Sequence, residues 1–476
     1  MVREGSISAA EVTEAALAQV QALDGTLHAF VELTADAARQ QAAAVDAAIA
    51  RGEQVGPLAG VPLAVKDLIA TRGVRNRNGS PAYLHFVPEE DDIVVERVRA
   101  AGAVLLGQTT VPEFGYSAVG HSPVSPTARN PWNPQLTPGG SSAGSAIAVA
   151  TGMAPLAFGS DGGGSIRIPA AHCGIYGMKA SMGRVPLYPG TRDERYPGIS
   201  SWESLEHVGP LTRTVADAAL MLSVIAGPDP RDRHSIPCTD VDWITAASDG
   251  QTSDARVTDG VAGLRIAYSP DLGHLAVDPQ VRAVVERAVG IFEDLGAHVE
   301  QASPDLGDLG DAFWTMVASE SDLRGMRALA DQHPDMSPHL LALLRRPWSA
   351  EDFTDALITR KRVVNRMWRF MAGYDLLLTP TLAVAPFGLG VQGPTQIDGR
   401  QVPDNAWLGF VNPMNMTGQP AASIPAGFTD DGLPVGLQIV GRHLADASVL
   451  RASAAFEAAA PWAQHWPTLA AATTQS

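Results

Sequence analysis

Two turns rich in glycine and serine hold the residues of this sequence best suited to chemistry. The first is Gly139-Gly140-Ser141-Ser142, and the second, Gly162-Gly163-Gly164-Ser165, places its serine 24 residues after Ser141. After three glycines no side chain shields the backbone, so several N–H groups can converge on one oxygen, which is how an oxyanion hole is built. A serine at such a turn is a candidate nucleophile and needs a base. Neither turn matches a phosphate-binding glycine loop or a Gly-x-Ser-x-Gly elbow.

The segment between the two turns has the length and pattern needed to bring the two serines together. It predicts a helix from about 142 to 151 and a strand from about 154 to 160. Ten helical residues span about 15 Å, and six or seven extended residues return about 20 Å. A flexible linker is the alternative interpretation of each turn. Linkers lie between polar segments, however, whereas apolar residues flank both turns here.

The first hundred residues predict helices followed by a strand that carries a lysine. Helical spacing over 7–50 predicts two helices, and Ser8 with Glu11 forms a capping pattern at the start of the first. The short apolar run over 60–67 predicts a strand with Lys66 at its end. This strand places an amine at the edge of a buried element.

The remaining chain predicts an α/β fold. A helix over 93–101 precedes a buried strand over 103–107, an alternation typical of a sheet covered by helices. The proline-rich segment 115–138 predicts a loop, and such loops commonly line sites. The pattern from about 240 to 410 predicts a variable, mainly helical, substrate-facing region with one strand-like run at Leu376-Leu377-Leu378. The pattern over 421–440 predicts a hairpin. Without repeats or linkers, all 476 residues predict a single domain.

Composition limits the partners and the compartment. The net charge of −17 argues against nucleic acid and anionic membranes, because both need clustered Lys and Arg. There is no run of 18 apolar residues and no signal peptide, so we expect a cytoplasmic protein. Cys173 and Cys238 are too few for a disulfide framework or a zinc cluster.

The two turns belong to an ordered set of motifs that runs through most of the chain. The second turn continues into Ile166-Arg167-Ile168-Pro169-Ala170-Ala171 and closes with Cys173-Gly174. Further segments of the set are Gly60-Val61-Pro62 with Lys66-Asp67, Thr127-Ala128-Arg129-Asn130-Pro131-Trp132, Gly209-Pro210-Leu211-Thr212-Arg213-Thr214 and Gly432-Leu433-Pro434-Val435-Gly436-Leu437-Gln438. Together these motifs resemble the amidase signature, and such an ordered set is far more specific than one glycine-rich turn.

The resemblance implies a serine hydrolase with a Ser-cisSer-Lys triad. Ser165 would be the nucleophile and Ser141, held by a cis peptide bond after Gly140, the proton relay. Lys66 would be the base, which requires its pKa to fall from about 10.4 by about three units, and burial has the right sign. The implied oxyanion hole consists of the backbone N–H groups of Gly162, Gly163, Gly164 and Ser165.

The family further implies a central mixed β-sheet covered by α-helices on both faces, and neither cofactor nor metal. We expect the partners to be a small amide or carbamate substrate and water, with the chain as a monomer or homodimer. Aryl or alkyl amides, anilides, amide oligomers and carbamates (urethanes) all fit. Gly115, Tyr116 and Ser117 are candidate substrate-binding residues, and Phe313, Trp314, Met316 and Trp348 are further candidates from the helical region.

Other residues offer competing assignments. Lys66 could be a solvated lysine paired with Asp67, and His172 or Cys173 could act as base or thiol nucleophile. We expect His172 and Cys173 to be packing residues of a buried helix, and Asp161 to hold the turn by accepting backbone hydrogen bonds.

The family pattern is not matched everywhere. Ala143 stands where glycine is common, Gly162 where threonine or isoleucine is common, and Met178-Lys179-Ala180-Ser181 where Leu-Lys-Pro-Thr is typical. None of these departures removes a catalytic group, but Gly162 could loosen the oxyanion turn.

Two other functions compete with a free-standing hydrolase. The A subunit of the glutamyl-tRNA amidotransferase shares the resemblance and works only with partner chains. That subunit usually carries Asp-Gln before the Gly-Pro motif, where this chain has Glu206-His207-Val208, so we expect the hydrolase. A catalytically inert binding protein of the same fold is the other alternative, against which the intact triad weighs.

Overall fold

A computed structural model describes residues 1–189, 202–248 and 260–474 of the chain. The α-helices are α1 Ala9–Leu27, α2 Ala35–Ala50, α3 Ile93–Ala100, α4 Ala143–Ala150, α5 Arg167–Cys173, α6 Val215–Ile225, α7 Trp243–Ala247, α8 Pro279–Asp294, α9 Gly310–Ser319, α10 Leu323–Gln332, α11 Pro338–Arg345, α12 Ala350–Met371, α13 Asn412–Thr417, α14 Asp446–Ala459 and α15 Thr468–Thr474. The strands are β1 Phe30–Leu33, β2 Pro62–Lys66, β3 Val104–Thr109, β4 Leu156–Ser160, β5 Tyr176–Lys179, β6 Val208–Thr212, β7 Arg265–Tyr268, β8 His298–Gln301, β9 Leu376–Pro380, β10 Gln396–Ile397, β11 Arg400–Gln401, β12 Ala421–Phe428 and β13 Pro434–Gly441. Residues 249–259 of the predicted 240–410 region lie outside the described ranges, as do short stretches elsewhere in the predicted single domain.

Most of the strands join one mixed sheet. In the described ranges, eleven strands follow the order β1-β3-β2-β4-β6-β5-β12-β13-β9-β7-β8. β2 pairs in parallel with β3 and β4, and β7 pairs in parallel with β8 and β9, while the other neighbours are antiparallel. Parallel neighbours need a crossover, which α3 supplies between β2 and β3 and α8 between β7 and β8.

Helices cover both faces of the sheet, because side chains alternate along a strand and both sets are apolar. Leu63 and Val65 of β2 belong to one hydrophobic cluster with residues of α3, α6, α8 and α14. Ala64, between them, belongs to a second cluster with α1, α2 and α4. The α/β fold with a mixed sheet between helical layers is therefore confirmed.

The elements around the two turns are also confirmed. α4 and β4 fill the predicted helix and strand between the serines, and β12 and β13 pair as the predicted hairpin. Ser8 caps α1, where the Glu11 backbone N–H donates to Ser8 Oγ at 3.0 Å and the Ser8 backbone N–H donates to Glu11 Oε2 at 2.8 Å. The capping pattern therefore marks the start of the first helix correctly.

The 240–410 region contains more sheet than its sequence pattern predicts. The pattern indicates one strand near Leu376, whereas the structure adds β7 and β8 to the edge of the central sheet. β8 is mostly exposed and carries the polar sequence His298–Gln301, so it lacks the apolar run that marks a buried strand. Of the helices in this region, α9 to α12 pack in a third hydrophobic cluster with Tyr116 and Trp202, whereas α7 and α8 pack in the first.

Candidate active site

Lys66 ends β2 in the middle of the sheet and is fully buried. Its Nζ lies 2.7 Å from Ser141 Oγ, 2.9 Å from Ser160 Oγ and 3.0 Å from the Ser160 carbonyl oxygen. Burial lowers the pKa of Lys66 to about 7, although the charges of Glu206 and Asp161 act in the opposite direction. A neutral amine that can accept a proton is therefore available near neutral pH.

Asp67 does not take the role of a partner to Lys66. Its Oδ1 accepts hydrogen bonds from the Arg77 backbone N–H at 3.0 Å and from Asn76 Nδ2 at 3.2 Å. Burial raises the pKa of Asp67 to about 8. The lysine therefore faces serine oxygens, and the paired, solvated interpretation is wrong.

Ser141 connects the lysine to the second turn. The peptide bond between Gly140 and Ser141 is cis, as the resemblance implies. The backbone N–H of Ser142 donates to the Ser165 carbonyl oxygen at 3.2 Å, so the two turns are in direct contact. The helix and strand between them therefore bring the turns together as predicted.

Ser165 is the most accessible of the three side chains. Its exposed fraction is 7%, against 2% for Ser141 and 0% for Lys66. Of the three residues, Ser165 is therefore the one most open to a substrate. This order suits a nucleophile backed by a buried relay and base.

One of the four backbone N–H groups predicted to form the oxyanion hole already has a partner within the protein. The backbone N–H of Gly164 donates to Asp161 Oδ1 at 2.6 Å and is already used. The predicted set of four N–H groups therefore narrows to those of Gly162, Gly163 and Ser165. The N–H of Gly164 holds the shape of the turn instead.

All three glycines of the turn are required by close packing. A Cβ on Gly162 would collide with the ring of Trp202, and one on Gly163 would lie 2.5 Å from Phe313 Cζ. Gly164 has a φ of 113°, and its Cβ would lie 2.5 Å from Val411 Cγ2. The departure from the family pattern at Gly162 is matched by Trp202, whose ring fills the space that a side chain would occupy.

The carboxylate of Asp161 stabilises the turn by accepting backbone hydrogen bonds. Besides the Gly164 contact, its Oδ2 accepts from the Ile166 backbone N–H at 3.3 Å, which confirms the predicted role. Its main partner, Arg167, was not predicted from the sequence; Nε and Nη2 of Arg167 each lie 2.9 Å from an oxygen of Asp161. Burial disfavours the carboxylate, yet the adjacent Arg167 guanidinium keeps the pKa of Asp161 well below its usual range.

Two residues from the distant C-terminal part complete this network. Asn415 Oδ1 accepts from Arg167 Nη2 at 2.6 Å, and its Nδ2 donates to Asp161 Oδ1 at 2.8 Å. Gln438 Oε1 accepts from Arg167 Nη1 at 2.6 Å. In the sequence, the one local sign of this network is that Arg167 lies between two isoleucines. An arginine in so apolar a segment indicates that a buried group of opposite charge pairs with it.

His172 and Cys173 are packing residues of α5, as predicted. The His172 ring stacks on Trp407, with 5.5 Å between centroids, and burial lowers the pKa of His172 to about 4. Burial raises the pKa of the Cys173 thiol far above its usual range, and Sγ donates to the Pro138 carbonyl oxygen at 3.5 Å. A thiol that stays protonated is a poor nucleophile.

A cavity of about 320 Å³ lies between the segment that follows Gly115 and helices α9 and α11. Tyr116 and Ser117 line it, together with Trp314 of α9. Gly115 is not among the lining residues, but a Cβ there would lie 3.3 Å from Ser141 Oγ. Phe313, the chain neighbour of Trp314, lies against Gly163, so residues next to the lining Tyr116 and Trp314 contact the serine turns, although no turn residue lines the cavity itself.

Trp348, another aromatic candidate, does not line the cavity but packs against two residues that do, Leu343 and Arg346. Its ring stacks on Phe353 with 6.0 Å between centroids, and its Nε1 donates to the Leu343 carbonyl oxygen at 3.1 Å. Met316 is fully buried in the third hydrophobic cluster. Of the aromatic candidates in this region, Phe313 and Trp314 are therefore the two beside the site.

Known proteins are similar to this chain in both sequence and fold. A family model described as Amidase matches residues 11–450. An acylamidase from Rhodococcus erythropolis is 37% identical over 480 residues, which cover 98% of this chain and 95% of that protein. The chain belongs to the amidase signature family. The solved structure of a bacterial aryl acylamidase of this family has a TM-score of 0.89 and 34% identity, and the match covers 99% of this chain and 96% of that one.

Amidase signature membership makes the chain a hydrolase of amide C–N bonds other than peptide bonds. The family also includes proteins with partners. The A subunit of the glutamyl-tRNA(Gln) amidotransferase from Moorella thermoacetica is 36% identical over 499 residues, covering 99% of this chain and 97% of that protein. Similarity in sequence alone therefore does not choose between the two kinds of relative.

The described residues offer neither a membrane span nor a metal cluster. None of the helices described above combines the length and apolar character that crossing a membrane needs. In the same residues, no group of three or more His, Cys, Asp or Glu side chains could hold a metal ion.

Proposed function

We propose that this chain hydrolyses amide or carbamate C–N bonds through an acyl-enzyme on Ser165, with Ser141 as relay and Lys66 as base. The observation that carries the proposal is the 2.7 Å contact between Lys66 Nζ and Ser141 Oγ, made by a lysine whose burial lowers its pKa to about 7. The contact between the two turns supports Ser165 as the attacking group.

In the proposed reaction, protons shift from Ser165 through Ser141 to Lys66 and later return along the same path. Neutral Lys66 takes the proton of Ser141, which takes that of Ser165 as its oxygen attacks the carbonyl carbon. The oxyanion is stabilised by the backbone N–H groups of Gly162, Gly163 and Ser165. The proton then returns through Ser141 to the nitrogen, the C–N bond breaks, and water hydrolyses the acyl-enzyme by the same route.

The cavity favours substrates with apolar groups. Tyr116, Trp314 and Leu343 give its wall an apolar character, and Ser117 Oγ donates to Gln392 Oε1 at 2.7 Å. Such a lining suits aryl or alkyl amides, anilides, amide oligomers and aryl carbamates. This proposal requires only the substrate and water; the monomer or homodimer state and the cytoplasmic location stay predictions.

Labelling by a fluorophosphonate probe, followed by a hydrolysis screen, tests the function. The purified chain alone should be labelled and should hydrolyse at least one of p-nitroanilides, primary amides, linear amide oligomers and aryl carbamates. Failure to label would indicate an inert binding protein. Glutaminase activity that depends on a tRNA-binding partner would instead indicate a component of an amidotransferase.

The rate of acylation should rise with pH through about 7 and level off above it. Because burial lowers the pKa of Lys66 to about 7, the base is neutral above that pH. Below it, each pH unit should cost about tenfold in rate as the fraction of neutral lysine falls. Single-turnover acylation measured from pH 5 to 9 checks this, with circular dichroism as a control for folding. A rate that keeps rising toward pH 10 would contradict the lowered pKa.

A further inference from the structure

Asn412, the first residue of α13, has a polar side chain to which the proposed mechanism assigns no task. A Cβ placed on Gly163 would lie 3.4 Å from Asn412 Oδ1, so the carboxamide lies against the oxyanion turn. This oxygen is buried and has no hydrogen-bond partner among the described residues. Buried acceptors without a partner are rare because they are costly. A bound molecule that brings a donor would remove that cost.

The backbone on both sides of Asn412 is fixed by the network that holds the turn. Arg167 Nη1 donates to the Val411 carbonyl oxygen at 3.1 Å, immediately before Asn412. One helical turn later, Asn415 Nδ2 donates to Asp161 Oδ1 at 2.8 Å. The backbone that carries Asn412 is therefore fixed by the same contacts that hold the glycine turn.

Amide hydrolysis creates a need for such an acceptor. After Ser165 attacks, the nitrogen of a secondary amide or carbamate carries one lone pair and one N–H. The lone pair must face Ser141 to receive its proton, so the N–H points away from Ser141. In a closed site it needs an acceptor on that other side, since an unpaired donor is as costly as an unpaired acceptor.

We infer that Asn412 Oδ1 accepts the N–H of the scissile amide or carbamate, and so selects substrates with N–H at that bond over esters and tertiary amides. The inference rests on the proposed function. A different use of the same side chain, in which Nδ2 donates to the oxyanion, would stabilise ester and amide reactions alike. The two uses therefore predict different substrate profiles.

A matched set of chromogenic substrates tests the inference. We would measure kcat/KM for p-nitroacetanilide, its N-methyl derivative and p-nitrophenyl acetate, on the wild type, Asn412→Leu and Asn412→Ala. Asn365→Leu, on the exposed side of α12, is the matched control. Both Asn412 variants should lose about 10- to 100-fold on p-nitroacetanilide, the effect of removing one hydrogen bond to a buried group. They should stay within about twofold of wild type on the ester and the N-methyl anilide.

Three results would overturn the inference. Equal losses on ester and anilide in a variant that still labels with fluorophosphonate would show that Asn412 has a structural or oxyanion role. A wild-type chain that turns over the ester but no anilide would also contradict it. A wild-type chain that does not label would overturn the proposed function, and this inference with it.

Discussion

Replacing Ser165 with alanine should lower turnover by on the order of 10⁴- to 10⁶-fold, the effect of removing the nucleophile of a serine hydrolase. Ser165 is the most exposed of the three candidate residues and directly follows the three glycines proposed to form the oxyanion hole. Without it no acyl-enzyme can form. Burst kinetics with the fastest substrate of the screen, together with fluorophosphonate labelling, would measure the loss.

The controls for this experiment separate the roles of the three groups. Ser223→Ala, on α6 at the surface, removes a hydroxyl that donates only to the Leu220 carbonyl oxygen in the same helix, and should leave turnover unchanged. Ser141→Ala and Lys66→Ala should each slow acylation strongly. Near-wild-type turnover in any one of the three active-site variants would rule out the role assigned to that residue. Loss of activity in His172→Ala but not in Lys66→Ala would identify a different base.

Replacing Arg167 with leucine should lower the free energy of unfolding by about 3–5 kcal/mol, because it leaves a buried charge without its partner. Arg167 and Asp161 are both fully buried and make two contacts of 2.9 Å. Asp161 would remain in an apolar environment, and the hydrogen bonds that hold the Gly164 turn would weaken with it. Guanidinium denaturation at pH 7 measures the stability, and acylation should be lost in the same variant.

An exposed ion pair provides the matched control. Arg39 lies 2.6 Å from Glu14 and both side chains are about half exposed, so Arg39→Leu should change stability by less than about 1 kcal/mol. The double variant Asp161→Asn with Arg167→Leu should lose less than Arg167→Leu alone, since no charge stays unpaired. Equal effects of Arg167→Leu and Arg39→Leu would contradict the buried-charge argument.

The order of the motifs predicted the fold and the placement of the candidate triad because both depend on local patterns. A helix and a strand of the right lengths must return Ser165 to Ser141, and an apolar strand must bury a lysine at its end. The side-chain network that stabilises the Gly162–Ser165 turn, by contrast, depends on residues that are far apart in the sequence. Asn415 and Gln438 follow Arg167 by 248 and 271 positions, and no local pattern indicates which polar residues will meet across such a separation.

Trp202 and Asn412 show the same limit in a different way. In the sequence, Gly162 stands alone as a departure that could loosen the turn, because the compensating ring belongs to a different segment. Asn412 carries no signal of its own, since an asparagine before a proline is typical of turns. It stands out only in the structure, where its Oδ1 lies near Gly163 and has no hydrogen-bond partner among the described residues.

Lys66 lies inside the hydrogen-bonded sheet, and this placement links the proposed base to the cooperativity of the fold. Its Nζ contacts the main-chain oxygen of Ser160, at the end of the neighbouring β4, and its low proton affinity comes from the dry interior around both strands. Local opening of surface loops would leave that environment intact, because central strands are released only near global unfolding. Water entering between these strands would return the amine to its ordinary basicity. The pH at which acylation begins therefore also reports how well water is excluded from the interior around β2 and β4.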